Sequence, residues 1–276
     1  MGDGVTYVRL EKKDQYAEIV LCYGKQLNTM HEEFFRQFHD CVKRADEDED
    51  VRVLLVRAEG RHFTAGLDLK KLGSGGSVGG GEELPTYSRN MTTYQLIRRW
   101  QDCFSAMEIS PKPVIVAIHG KCIGGGIDLI TAADIRLCTA DAQFAIQETK
   151  VGFVADLGTL QRIQRVVGKG IARELVFTGK TINAERANAI GLVNLVCQDK
   201  DDLDAKALAM VKEILANSPR AVQGAKISLN YAADHTVEDG LEQVRAWNTS
   251  FVCKEDLMEA VRAFMMKETP TFAARL

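Results

Sequence analysis

The 276-residue chain is 46% hydrophobic, enough for a sizeable core, and its 35 basic and 38 acidic side chains leave a formal net charge of −3. So balanced a surface gives no global electrostatic reason to bind nucleic acid or an anionic membrane. Seven cysteines, an odd number without a CxxC pair, point to neither a zinc site nor a disulfide framework and fit a reducing compartment.

The opening MGDGVTYVRLEKKDQ has neither the apolar core of a secretory signal nor the Arg-rich, acid-poor character of a mitochondrial presequence, so no removable leader is expected. VTYVRLE and AEIVLCY read as strands, a helix is expected from about Met30 to Ala45, and VRVLLVRAE reads as a third strand. GSGGSVGGGEE, between Leu72 and Glu83, is too rich in glycine and serine to pack, and is expected as either a mobile loop beside a pocket or an exposed insertion. A helical pattern follows from Tyr87 to Met107, and Pro111 and Pro113 introduce a buried strand, PVIVAIHG. Even PVIVAIHGKCIGGGIDLI is interrupted by His119, Lys121 and Asp128, so no run is expected to cross a bilayer.

DIRLCT is a short expected strand and AQFAIQE alternates like a strand edge. From about Gly158 the pattern turns helical through TLQRIQRVVG, IARELVFTG and Asn183 to Ile190, with Gly168, Gly179 and Gly191 as stops. LVNLVC is a further strand, and the remainder reads as helices near 201–216, 219–233, 237–250 and 255–265. The change in pattern divides the chain into a mixed region, residues 1–200, and a helical one, 201–276. Recurring strand-strand-helix units imply a layered α/β spiral. In the tail, Phe251, Leu257, Val261 and Phe264 lie at helical spacing, the ordinary pattern of a core face.

Two turns carry the chemistry. Gly124, Gly125 and Gly126 follow a strand and open a helix, where backbone N–H groups can be approached closely. RHFTAGLDLKKL, residues 61–72, places another glycine after VRVLLV. Two such turns can each aim one N–H at a single oxygen, an oxyanion hole in which each donor contributes on the order of 3 kcal/mol as charge develops. The glycine run lacks the residues of a phosphate-binding P-loop.

HFTAGLDL, IHGKCIGGGIDL and ADIRLCTADAQFAIQETKVGFVADLGTLQRIQRVVG together resemble the consecutive signature blocks of the crotonase, or enoyl-CoA hydratase/isomerase, superfamily, and the similarity runs over essentially the whole chain. The resemblance implies a crotonase-type α/β spiral with a C-terminal all-helical region that assembles trimers, often paired into hexamers. It implies that an acyl-CoA thioester oxygen is held by the backbone amides of Leu67 and Gly125, with Ala65 and Gly124 beside the substrate. Coenzyme A would arrive as part of the substrate, with no further cofactor and no metal. Lys70, Lys71 and Arg61 could meet its phosphates or simply be solvated.

Acids then decide the reaction. Asp128, Glu148 and Asp156 fall at pocket positions, whereas hydratases of the superfamily carry glutamates at the first two and usually an apolar or small residue at the third. The Asp, Glu, Asp trio and VGFVADLGTLQR resemble instead the branch that isomerises 3,5-dienoyl-CoA to 2,4-dienoyl-CoA. That reaction removes a proton at C2 and delivers one at C6, a span suited to two carboxyl groups, one ionised and one protonated. By resemblance Glu148 serves C2 and Asp156 serves C6; the residues alone permit the reverse. Asp128 would bias both, because crowded carboxylates in a poorly hydrated pocket cannot all ionise cheaply.

Taken singly, each acid has an ordinary use: Asp128 as a first-turn acid on a helix, Glu148 as a surface residue at a strand end, Asp156 as a helix N-cap. Asp68, Asp134 and Asp141 read as capping or turn residues, His62 and His119 as packed under turns, and Cys122 as an inert small side chain. The alternatives within the superfamily are an enoyl-CoA hydratase, a 3,2-enoyl-CoA isomerase, or a non-catalytic acyl-CoA or RNA-binding member. The final Ala274-Arg275-Leu276 keeps the small, basic, leucine pattern of a peroxisomal address read by an import receptor; a mitochondrial matrix or cytosolic location is the alternative.

Overall fold

A computed structural model describes residues 4–70 and 85–272. The glycine-serine tract, Lys71 and Ala274-Arg275-Leu276 lie outside the described residues.

The main sheet takes strands β1 (Val8–Lys12), β2 (Tyr16–Leu21), β3 (Val53–Ala58), β4 (Val114–Ile118), β6 (Ile135–Thr139) and β9 (Leu195–Cys197), in the order β1-β2-β3-β4-β6-β9. β1 and β2 pair antiparallel; the remaining neighbours are parallel. A second, three-stranded sheet takes β5 (Lys121–Ile123), β7 (Gln143–Ala145) and β8 (Ile182–Asn183). Successive strands therefore divide between the sheets, β4 into the larger and β5 into the smaller, then β6 and β7 likewise. An isolated bridge of Thr64 to Cys122 extends this stacking back to the segment after β3, so the turns at Thr64, β5 and β7 lie in parallel register, with β8 added antiparallel to β7. This is the crotonase-type spiral.

Alternation along the central strands sends their side chains into two cores, as the two-residue period of a strand requires. Leu54 and Val56 of β3, with Val114, Val116 and Ile118 of β4, face α1 (Glu32–Glu47) and α2 (Thr86–Ile109). Val53, Leu55, Ile115 and Ala117 face the other way and meet Leu203, Ala207 and Val211 of α7 (Lys200–Leu215). The helix that follows the expected division at residue 200 thus packs on the sheet itself. The intervening helices are α3 (Gly125–Thr131), α4 (Thr159–Val166), α5 (Lys169–Thr178) and α6 (Ala184–Ala189); α8 (Pro219–Ala232), α9 (Val237–Phe251) and α10 (Lys254–Met266) complete the tail.

Two elements differ from expectation in kind. The strand PVIVAIHG ends early and restarts as the three-residue β5, and the stretch expected as a helix from Asn183 opens with the two-residue β8. Strands this short carry no period of their own and exist through their pairing partners. In the tail, Phe251, Leu257, Val261 and Phe264 do not form a core face. All four are exposed within the single chain, Phe264 by 82%.

Buried lysines tie the layers together. Lys112 Nζ donates to Ala45 O, Asp46 O and Asp48 O at 2.7–2.8 Å, satisfying carbonyls at the C-terminal end of α1. Lys226 of α8, 6% exposed, donates to Met107 O, Lys112 O and Asp134 Oδ2 at 2.8–2.9 Å. Truncation to Lys226→Met removes the lysine donor from the Met107 and Lys112 carbonyls and is expected to cost about 2–3 kcal/mol, read as a lowered denaturant midpoint. An unchanged midpoint would show that the lysine does not anchor the tail.

Candidate active site

Two chain turns meet at one cleft. Thr64 N–H donates to Lys121 O and Ile123 N–H to Thr64 O, which lays residues 63–67 along β5. Gly66, at φ +83°, sits so close that a Cβ there would lie 2.7 Å from Ile123 O and 3.5 Å from Gly125 N. Only glycine allows this approach. Asn28 reinforces the turn: its side-chain amide donates to Glu59 O, His62 O and Phe63 O, while its own carbonyl accepts from Thr64 Oγ1.

This docking leaves two amides free. Met30 spends both backbone groups on the residues flanking Leu67, accepting from Asp68 N–H and donating to Gly66 O, both at 2.9 Å. In such a parallel bridge the Leu67 N–H points away from Met30. Gly125 is the first residue of α3, where an N–H has no helical acceptor. Among the described residues neither amide finds a hydrogen-bond acceptor. Both residues line a small, open cleft shared with Ala65, Gly124, Glu148 and Phe153.

Glu148 opens a 3-10 turn, Glu148–Val151, just beyond β7, and is 5% exposed. Its Oε1 lies 3.2 Å from where a Gly124 Cβ would stand, so the glycine makes room for the carboxyl group. Its Oε2 is buried without a hydrogen-bond partner among the described residues. Burial raises its pKa, and the charge of Asp156 adds to that.

Asp128, 1% exposed, stands behind the cleft wall on α3. Its Oδ1 accepts the Thr159 N–H at 2.6 Å, so it satisfies an orphan donor at the start of α4, a helix with only Gly158 at its N-cap. Burial pushes its pKa to about 7 against opposing hydrogen bonds from Thr159, and the charges of Glu148 and Asp156 push the same way. Asp156 is half-buried in the loop before α4, and burial raises its pKa as well. It is not the helix cap. Its carbonyl accepts from Gln101 Nε2 of α2 at 2.6 Å. The three acids therefore share one electrostatic neighbourhood, though only Glu148 lines the cleft.

The remaining candidates have settled places. Lys70 and Arg61 are exposed, with the Lys70 N–H donating to Asp68 Oδ1. Asp134 accepts from Val114 N–H and Lys226, and Asp141 from Thr139 Oγ1. His119 bonds Gly60 O and His62 accepts from Lys121 N–H, each with its pKa lowered by burial. Cys122 is fully buried and burial drives its thiol well above the usual range. Among the described residues no grouping of three or more His, Cys, Asp or Glu side chains is spaced to hold a metal ion. Sequence reasoning missed Thr159, Gln101, Met30 and Arg162, whose parts rest on contacts that no local motif marks.

Residues 11–275 match the enoyl-CoA hydratase/isomerase family, and the chain belongs to it. Over 272 residues it is 43% identical to a mitochondrial delta(3,5)-delta(2,4)-dienoyl-CoA isomerase of Dictyostelium discoideum, covering 98% of this chain and 92% of that one. A peroxisomal protein of the same name from Arabidopsis thaliana is 38% identical over 269 residues, 96% of this chain and 95% of its own. Among solved structures, an enoyl-CoA hydratase from Bacillus anthracis superposes with a TM-score of 0.88 at 26% identity, over 98% of this chain and all of the other.

Because burial holds the folded-state pKa of Asp128 well above the ordinary aspartate range, the folded protein holds this proton more tightly than the unfolded chain. That stabilisation is present at acid pH and is lost as pH rises through about 7. Asp128→Asn removes the cost of ionisation while keeping an acceptor for Thr159. Its stability relative to the natural protein should therefore be greater at pH ~8 than at pH ~5 by on the order of 1 kcal/mol or more. A pH-independent difference in thermal midpoint would contradict a buried, protonated Asp128.

Proposed function

We propose that the protein converts 3,5-dienoyl-CoA to 2,4-dienoyl-CoA thioesters. The observation that carries this reading is the unpaired, buried Glu148 Oε2 in the same cleft as the free Leu67 and Gly125 amides, with Asp156 within electrostatic reach. Relatives named dienoyl-CoA isomerase support it. The thioester oxygen accepts both amides. Glu148 takes a proton from C2, and the released electron pair spreads through the diene onto that oxygen, giving a conjugated enolate. Asp156, protonated at the outset, delivers a proton to C6; the electrons settle as C2=C3 and C4=C5. The carboxyls end with their protons exchanged, and solvent resets them.

These transfers balance without a metal or redox cofactor, and coenzyme A enters as part of the substrate. Asp128, kept largely neutral below pH ~7 by burial, limits the negative charge against which Glu148 must ionise. Lys70 and Lys71 are the proposed contacts to the coenzyme's phosphates. The exposed apolar residues of α9 and α10 support a homo-oligomer, a trimer or a dimer of trimers. Relatives named mitochondrial and peroxisomal support an organellar setting in unsaturated fatty-acid oxidation, with Ala274-Arg275-Leu276 as the proposed peroxisomal address.

Adding 3,5-octadienoyl-CoA should produce the ultraviolet band of the conjugated 2,4-dienoyl thioester. Glu148→Gln and Asp156→Asn should each lower kcat about 10²-fold or more with little change in KM. In heavy water the two variants separate: Asp156→Asn still exchanges the C2 proton, whereas Glu148→Gln does not. Hydration of crotonyl-CoA without the conjugated band would assign the chain to the hydratases instead.

A further inference from the structure

The loop carrying Asp156 is held by one side chain whose placement runs against helix electrostatics. Arg162 lies in α4, and its guanidinium folds back over the N-terminus of that same helix, where a cation opposes the helix dipole. Nη1 reaches Leu157 O at 3.4 Å, Nη2 bonds Ser105 Oγ at 2.9 Å, and the group pairs with Glu108 at 2.8 Å; both partners belong to α2. Its side chain is 12% exposed. Gly158, at φ +122°, completes the fit, since a Cβ there would fall 1.8 Å from Nη1. The guanidinium occupies the space that any side chain at residue 158 would need.

Four consecutive residues are pinned as a result. Gln101 holds the Asp156 carbonyl, Arg162 holds the Leu157 carbonyl and fills the space over Gly158, and Asp128 holds the Thr159 N–H. Gln101 reaches the loop from α2, Arg162 ties it to Ser105 and Glu108 of the same helix less than two turns further on, and the last anchor is an acid of the site. A shift of this loop moves the Asp156 carboxyl and breaks the hydrogen bond to Asp128 together. A merely structural arginine would pair with Glu108 and leave the loop alone; this one spans both.

We infer that Arg162 is a positioning residue that locks the 156–159 loop to α2 and so sets the relative placement of Asp156 and Asp128. The inference rests on the proposed reaction for its kinetic consequence but not for its structural one. The fork geometry matters, because the guanidinium serves Leu157 O from Nη1 and Ser105 Oγ from Nη2, a spread that the single nitrogen of a lysine does not match.

The test compares the full-length natural protein with Arg162→Met and Arg162→Lys. Expected for Arg162→Met is a fall in kcat on 3,5-octadienoyl-CoA of at least about tenfold with KM within about threefold. The titration of Asp128, followed by the infrared carbonyl band that Asp128→Asn abolishes, should move to higher pH as the Thr159 bond is lost. Arg162→Lys should recover only part of either effect. A folded Arg162→Met with unchanged kcat, or with an unmoved Asp128 titration, overturns the inference. If the natural protein fails to turn over the dienoyl thioester, the proposed function falls, while the titration still decides the role of Arg162. Should Arg162→Met not fold, Ser105→Ala and Glu108→Gln free the guanidinium from α2 without removing it and carry the same expected direction.

Discussion

The close approach of Gly66 to the Ile123–Gly125 backbone is the constraint from which the rest of the site follows. A backbone-to-backbone contact of this kind tolerates no side chain, and it brings two unrelated turns to the mouth of one cleft. Because Met30 uses the groups flanking Leu67, and because α3 begins at Gly125, the two nearby amides find no partner among the described residues. Preorganised donors of this sort need no rearrangement when charge forms on a bound oxygen. The spiral supplies the rigidity, since the segments at Thr64, β5 and β7 are hydrogen-bonded one on the next.

Around that contact the acids are graded by depth. Asp128 is sealed behind the wall and tied to Thr159, Glu148 lines the cleft with one oxygen unpaired, and Asp156 sits half-buried on a loop fastened to α2. Burial raises all three pKa values, and the charge of Asp156 raises those of Glu148 and Asp128 further, so ionisation of one bears on the others. An acid in the first turn of α3 thus serves two elements at once, complementing its own helix and satisfying the first amide of α4.

Much of this was legible before any coordinates. The long helices and the central strands announced themselves by period, and the tail helices fell within a residue or so of their expected limits. The acid trio was readable only through its resemblance to family signature blocks, since each acid taken singly has an ordinary structural use. What escaped has a common physical cause. β5 and β8 have too few residues to show alternation, and Thr159, Gln101 and Arg162 act through contacts between segments distant in sequence. The apolar faces of α9 and α10 showed the helical spacing of a core, yet that spacing does not say whether the cover comes from the same chain.

That the cleft's free donors belong to the main chain also bears on how such a site can diversify. Replacing Leu67 by another residue would alter what flanks the donor but not the donor itself, because the peptide N–H survives any exchange short of proline. What must be inherited is a bend, defined by glycines and their neighbours' carbonyls. The carboxyls, by contrast, are side chains and can be lost or gained singly, so a lineage can redirect the fate of an enolate while the means of forming one stays untouched.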